Sequence, residues 1–495
     1  NCIYDLLNKG IKIWLEQDHI QLFVPEDVIF DESQKNFIKL NKEQIIPILQ
    51  ANNVYSDDYD LFIFKSNLNS SSLSFAQERL WFIHKYEQGT NAYNMPMIFK
   101  VSSDANLDIL KLSIKEIVKR HEILRTLIKE DDKGNSYQLI LDDKEFPLEI
   151  IELSVDGQVQ LDKELDKEIN HIFDLSNEHP IRVYIFKLDE VHYLSIVIHH
   201  IVFDGWSMNI FLNELDILYS YHLGQYQGKE SNLDLLPLEI QYKDFALWQK
   251  NYLKEGTLDK QLSYWKNRLD GYKSLNLTTD KSRPDRIKYE GSDIYFKLDT
   301  DISKKLRALA KELKVSLYSL LLSGYYLMLR IYSNQDDIVI GAPIANRHYT
   351  HIENLIGFFV NTLVLRTKID SKDTLKEFIQ QTSKNVIAAQ LHQDLPFEKI
   401  VEELDIIKDT SRHPIFQVMF TVQSFGGEVY NNTNDSSKIV VSNLSRLLQP
   451  YVTDHNLFNS AYFDITTFID DSAEELEGRF NYATSLFTEE TIRRY

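Results

Sequence analysis

The 495-residue chain carries 54 Lys and Arg against 74 Asp and Glu, a formal charge of −20, with 43% hydrophobic and 26% charged residues. That balance has the wrong sign for a nucleic-acid backbone or a polybasic membrane surface, and the composition is that of a globular protein with room for about three domains. The single cysteine, Cys2, leaves no intrachain disulfide, cysteine-built zinc site or iron–sulfur cluster, as expected in a reducing cytoplasm.

Ile3, Leu6 and Leu7 lie at helical spacing and Gly10 is placed to cap the turn. Asp5 interrupts the apolar run a secretion signal would need, so a cytoplasmic location is expected. Ile11, Ile13 and Leu15 then alternate with Lys12 and Trp14, and Ile20, Leu22 and Val24 alternate after a polar turn, which predicts a β-hairpin. A helix follows with Phe37, Leu40, Ile45, Ile46, Ile48 and Leu49 on its apolar face, broken at Pro47. So small a unit buries little surface alone and reads as a partner-binding module over residues 1–56. The Asp, Asn and Ser content of residues 57–71 reads as a linker.

Beyond it helices and strands alternate. Leu107, Leu110, Ile114, Ile117 and His121 step along one helix face. Val315 to Leu329 is the longest apolar stretch without charge, short of the ~20 residues a membrane span needs, and reads as a buried helix. Tyr193 to Ile198, Ile338 to Ile340 and Phe358 to Leu365 suit strands covered on both faces, the last two bounded by Gly341 and Gly357. Residues 431–437 read as a polar loop.

The segment Ile198-His199-His200-Ile201-Val202-Phe203-Asp204-Gly205-Trp206-Ser207 carries the chemistry. Strand alternation puts His199 and His200 on opposite faces, so they do different work. His200 is expected to end the strand, and Asp204 to lie in a turn before a helix marked by Met208, Phe211, Leu212, Leu215 and Tyr219. An imidazole at a strand end can take a proton near neutral pH. Asp204 could orient it or lock the loop instead. Gly205 would permit a backbone conformation closed to other residues, with its N–H available to an oxyanion. The bland alternative is a pair of hydrogen-bonded core histidines with Asp204 as a helix cap. A metal site on His199, His200 and Asp204 is disfavoured, because neighbours on opposite strand faces converge poorly and no HExxH accompanies them. No dinucleotide fingerprint, Walker loop or G-x-S-x-G elbow stands in the chain.

His199-His200-Ile201-Val202-Phe203-Asp204-Gly205 resembles the HHxxxDG signature of the condensation domains of non-ribosomal peptide synthetases. Six further stretches resemble that family's motifs in order: Ser74 to Trp81, Arg120 to Thr126, Tyr242 to Gln249, Ile356 to Leu363, His392 to Val401 and Asp409 to Pro414. The resemblance implies an α/β (α+β) chloramphenicol-acetyltransferase-like fold, with two lobes in a V over residues 72–250 and 251–495 and His200 midway along a tunnel. It implies attack of an acceptor amine on a donor thioester, both on phosphopantetheine arms of peptidyl carrier proteins, with no bound cofactor or metal. His200 carries over as the group that positions the amine or takes its proton, with His199, Asp204 and Gly205 beside it. Arg347, the expected partner of Asp204, and Arg125 carry over as structural, and Trp206, Ser207, Asn361 and Gln393 as tunnel lining. Trp206-Ser207-Met208-Asn209 and the lack of a second HH pair around His84 favour plain condensation over epimerising subtypes.

Residues 1–56 resemble the TubC-type docking domain, whose hairpin, here Lys12, Ile13, Trp14, Ile20 and Leu22, receives the C-terminal segment of an upstream synthetase subunit by strand addition. The chain is thus expected to be the N-terminal piece of a larger subunit. A non-catalytic scaffold for carrier proteins and a stand-alone acyltransferase using a CoA thioester are the alternatives.

Overall fold

The computed structural model describes residues 11–16, 19–24, 30–51, 63, 65–86, 89–228, 232–253, 256–347, 349–404, 409–423, 443–451 and 460–495. The helix expected over Ile3 to Gly10 and the 431–437 loop lie outside them, as do residues 57–62 and 64 of the expected linker.

The first alternating runs form the antiparallel hairpin β1 (Lys12–Glu16) and β2 (His19–Phe23), with Lys12 opposite Phe23 and Glu16 opposite His19. Period-two alternation turns Ile11, Ile13 and Leu15 inward, where they are buried with Ile38, Ile45 and Leu49 as a core of their own. Trp14, Ile20 and Leu22 pack against this core. The helical pattern after the hairpin is two helices, Glu32–Leu40 and Lys42–Ala51, and the break falls at Asn41 rather than at Pro47. Asn41 closes the first helix by donating from both its side-chain amide and its backbone N–H to the Phe37 carbonyl. Pro47 is accommodated inside the second helix at the loss of one backbone donor. Leu40, expected on the apolar face, is exposed at the end of its helix.

In chain order the remaining strands are β3 (Ser70–Ser72), β4 (Asn94–Val101), β5 (Thr126–Glu130), β6 (Ser136–Ile140), β7 (Ile150–Val155), β8 (Ile181–Leu188), β9 (Val191–His199), β10 (Gly291–Lys297), β11 (Asp337–Ile344), β12 (Asn361–Lys368), β13 (Val418–Gln423), β14 (Leu448–Pro450), β15 (Ile465–Asp470) and β16 (Glu477–Ala483). They build sheets ordered β14-β4-β9-β8-β7, β10-β16-β15-β13-β11-β12 and β3-β6-β5. The two larger sheets are mixed: β7 runs parallel to β8, and β13 parallel to both β11 and β15. The Ser-rich end of the expected linker is bound chain. Ser70–Ser72 pairs with β6, Ser66 donates to Asp244, and the Ser71 hydroxyl donates to the Lys243 carbonyl.

The unbroken apolar runs are strands as expected, with every side chain from Tyr193 to His199 buried. Two boundaries differ: β11 runs through Gly341, and β12 starts at Asn361 because residues 358–360 belong to the connection before it. The Leu107–Arg120 helix ends at His121, and the stretch from Val315 holds the buried Leu317–Ser333 helix. A division at residue 250 does not part the two large sheets. Leu448–Pro450 comes from the second half yet pairs antiparallel with β4, and Leu444 just before it donates its N–H to Asp216 in the first half. Ile352, Leu355, Ile356 and Phe359, from the β11–β12 connection, reach back into the core beneath the first large sheet. Gly357 makes that approach possible, since a Cβ there would collide with the Tyr242 ring.

Candidate active site

β9 ends at His199, one residue earlier than expected, and His200 opens the short 3-10 turn His200–Val202. Asp204 then caps the 22-residue helix Gly205–Tyr226, accepting from the Ser207 N–H at 2.8 Å. The two histidines do separate jobs. His199 is fully buried, and its Nδ1 accepts the Ile201 N–H at 3.1 Å, so the neutral ring carries its proton on Nε2. His84 and Phe173 meet the His199 ring edge-on at 5.9 Å each, and burial holds the ring well below the ordinary histidine pKa.

His200 is only partly covered. Its Nδ1 stands 2.6 Å from the Phe203 carbonyl oxygen, which can only accept, so Nδ1 bears the proton and Nε2 keeps its lone pair. The Phe358 ring lies edge-on to the imidazole at 4.8 Å. Burial lowers the His200 pKa, with the bond to Phe203 and the Asp204 charge opposing the shift, so the ring is neutral at pH 7.

Asp204 does not orient His200; it is the centre of a knot between the two halves. Its Oδ1 accepts from the Ser207 hydroxyl at 2.7 Å and from Arg347 Nη2 at 3.0 Å, and its Oδ2 accepts from Arg347 at 3.2 Å and from the Phe359 N–H at 3.1 Å. Arg347 also donates to the Ile352 and Leu355 carbonyls at 2.8 and 2.6 Å and lies 4.1 Å over the Phe359 ring. The fully buried carboxylate thus has a charged partner and no unfilled lone pair in reach, the condition under which a buried ion pair holds its geometry. His121 adds a second tie: Nε2 lies 2.9 Å from Glu214, and Nδ1 accepts the Ile356 N–H at 3.3 Å.

Several expected placements need correction. Ser207 lines no passage; it is fully buried, and its hydroxyl bonds Asp204, Arg347, the Gly357 carbonyl and the Gly357 N–H. Asn361 is likewise committed, donating to the Gln393 and Leu395 carbonyls and accepting from Phe397, so it braces the loop that carries Gln393. Arg125 donates to the Leu141 carbonyl and lies 3.9 Å from Glu122 rather than bonding to this cluster. Gly205 has ordinary helical backbone and open space where a Cβ would be, so no unusual conformation calls for glycine there. Trp206 is half-exposed and donates to the Glu353 carbonyl at 3.1 Å across the two halves. In the hairpin, Ile13 is core, while Lys12, Trp14, Ile20 and Leu22 are partly exposed.

Sequence reasoning missed the backbone acceptors that hold His200, namely the Phe203 carbonyl and the Tyr93 carbonyl, which takes the His200 N–H at 2.8 Å. No side-chain pattern announces a carbonyl. It also missed Phe358 and Tyr242, although both sit in stretches already marked by motif, Tyr242 donating to the Phe358 carbonyl at 2.7 Å.

The condensation domain family model matches residues 67–495. Curated relatives include an N-(5-amino-5-carboxypentanoyl)-L-cysteinyl-D-valine synthase of Amycolatopsis lactamdurans, 37% identical over 84% of this chain and 11% of the relative. Bacitracin synthase 3 of Bacillus licheniformis is 35% identical over 86% of this chain and 6% of the relative. The chain therefore spans about a tenth or less of the length of these proteins. Among solved structures, the X-domain from teicoplanin biosynthesis superposes with a TM-score of 0.73 at 24% identity, covering 86% of this chain and 92% of that one. A four-domain nonribosomal peptide synthetase, holo-AB3403, gives 0.72 at 25%, covering 86% of this chain and 32% of that one. With a family match over most of its length, the chain belongs to the condensation domain family of non-ribosomal peptide synthetases, which are amide-forming acyltransferases.

Proposed function

We propose that this chain joins a donor aminoacyl or peptidyl thioester to the amine of an acceptor aminoacyl thioester, each delivered on the phosphopantetheine arm of a peptidyl carrier protein. The observation that carries the reading is the His200 imidazole, neutral by burial, with Nδ1 committed to the Phe203 carbonyl and a lone pair left on Nε2. The amine nitrogen attacks the thioester carbonyl, the C–N bond forms, and the C–S bond breaks. The amine proton is taken up at Nε2 and returns to the departing sulfur, or Nε2 holds the amine in place while the sulfur takes the proton. Either route needs an unprotonated ring close to the reacting nitrogen and little competing water. Asp204, Arg347 and Ser207 act at one remove by fixing the turn that carries His200.

The unit with its own core at the N-terminus supports a docking role, in which the hairpin receives a segment of an upstream subunit by strand addition. A second reading, a partner-recruiting domain without chemistry, is favoured by the likeness to the X-domain solved in complex with OxyB, with a TM-score of 0.74.

The deciding experiment is single-turnover amide formation between loaded donor and acceptor carriers, comparing the parent chain with His200→Ala. The expected loss is about 10²–10⁴-fold, the usual contribution of a placed acid–base group, at an unchanged melting temperature. Equal product from both chains would favour the recruiting reading.

A further inference from the structure

We propose that Tyr462 is a positioning residue for His200, acting across the seam between the two halves through the backbone of Ala92 and Tyr93. The inference rests on the reading of His200 as the reaction's histidine.

The Tyr462 hydroxyl donates to the Ala92 carbonyl. Its ring stacks on that of Tyr93, with centroids 5.3 Å apart and planes 29° from parallel. Tyr289 closes the group edge-on, 6.1 Å from Tyr462 and 6.5 Å from Tyr93. The two second-half tyrosines are held together by backbone, since Ala461 donates to the Tyr289 carbonyl at 2.8 Å and Glu290 bridges Ser460. On the far side of this group, the Tyr93 carbonyl accepts the His200 N–H at 2.8 Å. From Tyr462 to His200 the path is therefore one hydroxyl, a single residue of backbone and one further hydrogen bond.

The His199–Asn94 pair is the last of the β4–β9 ladder, so His200 lies just beyond its regular pairing. The bond to Tyr93 continues the ladder by one step, and Tyr462 pins the residue that makes it. With Arg347 gripping Asp204 downstream, the second half holds the His200 turn from both sides. A hydroxyl is suited to this work, because burial raises the Tyr462 pKa and keeps its proton available to donate. The titratable and charged groups around His200 are Asp204, which is neutralised by Arg347, and His199, which is neutral by burial. The position of the ring relative to water then sets its basicity.

Tyr462→Phe keeps the ring and its stacking and removes one hydroxyl. The test is an imidazole NMR titration of the full chain, with the His200 signal assigned by its loss in His200→Ala. Loosening the turn admits water, so the His200 pKa is expected to rise toward the ordinary histidine value. The acid limb of single-turnover amide formation should move up with it, and the rate should fall roughly 10-fold. Tyr295→Phe, at an exposed tyrosine, should leave both unchanged. An unmoved His200 titration in Tyr462→Phe overturns the inference, as does a slower rate whose acid limb stays where it was, since that is general support of the fold. Failure of the parent to form amide would count against the proposed reaction, while the titration would still decide the role of Tyr462.

Discussion

His200 and Asp204 stand four positions apart in one turn, yet their surroundings are opposites. Asp204 is fully buried, paired with Arg347 and saturated by Ser207 and Phe359. His200 is partly covered, with one nitrogen committed to Phe203 and a lone pair kept on the other. A short motif can therefore hold two unlike residues, a polar group with every partner supplied and one with capacity left over.

The hardest way to break that contrast is to empty the knot. Arg347→Ala leaves the Asp204 carboxylate buried without its counter-charge and should lower unfolding free energy by about 3–5 kcal/mol, read from the denaturant midpoint. His200→Ala should do the reverse, losing rate while keeping the midpoint. Equal destabilisation by the two changes would erase the distinction.

A smaller effect comes from pH. Burial lowers the pKa of His179 to about 4 and of His413 to about 3, so both are neutral in the folded chain over a range where the unfolded chain binds their protons. Their stability contribution is present above pH 6.5 and is lost as pH falls from there toward those values. Between about pH 7.5 and 5.5 each should remove about 1 kcal/mol. Asp244, raised to about 6 by burial, opposes this by less in the same window, because a carboxyl with a raised pKa favours the folded state as pH falls. Denaturation midpoints across that range should therefore decline toward acid, and midpoints that rise would refute the sign.

The smallest change sharpens the comparison at Gly205, between the two residues. With ordinary helical backbone and open space beside it, Gly205→Ala should shift stability by no more than about 1 kcal/mol, in the stabilising direction. A drop in turnover at an unchanged melting temperature would assign that space to substrate.

Much of this was legible in the sequence where one local rule decides the outcome. The hairpin follows from alternation at Ile11 to Leu15, the Gly205–Tyr226 helix from its apolar stripe, and the place of Asp204 just ahead of that helix from the same pattern, although His200 was expected to end the strand and opens a turn instead. The Asp204–Arg347 contact, 143 residues apart, came from resemblance alone. Illegible features depend on partners far along the chain. Ser207 and Asn361 look like residues that could line a passage, and only folding shows their polar atoms already taken by Gly357, Gln393 and Leu395. Arg125 sits in a motif but folds toward Leu141. Pro47 misled because a proline mid-pattern signals an ending, whereas Asn41 supplied the actual closure.

The strap formed by β14 bears on how such proteins can be recombined. A chimera that takes residues up to about 253 from one synthetase and the rest from another must still thread Leu448–Pro450 of the donor along β4 of the recipient. Backbone pairing is indifferent to side-chain identity, so that seam should tolerate foreign sequence, whereas Leu444 and Leu448 fill the recipient's interior and must match its shape. Exchange between synthetases is thus governed at this point by two leucines more than by the junction where the chains are spliced.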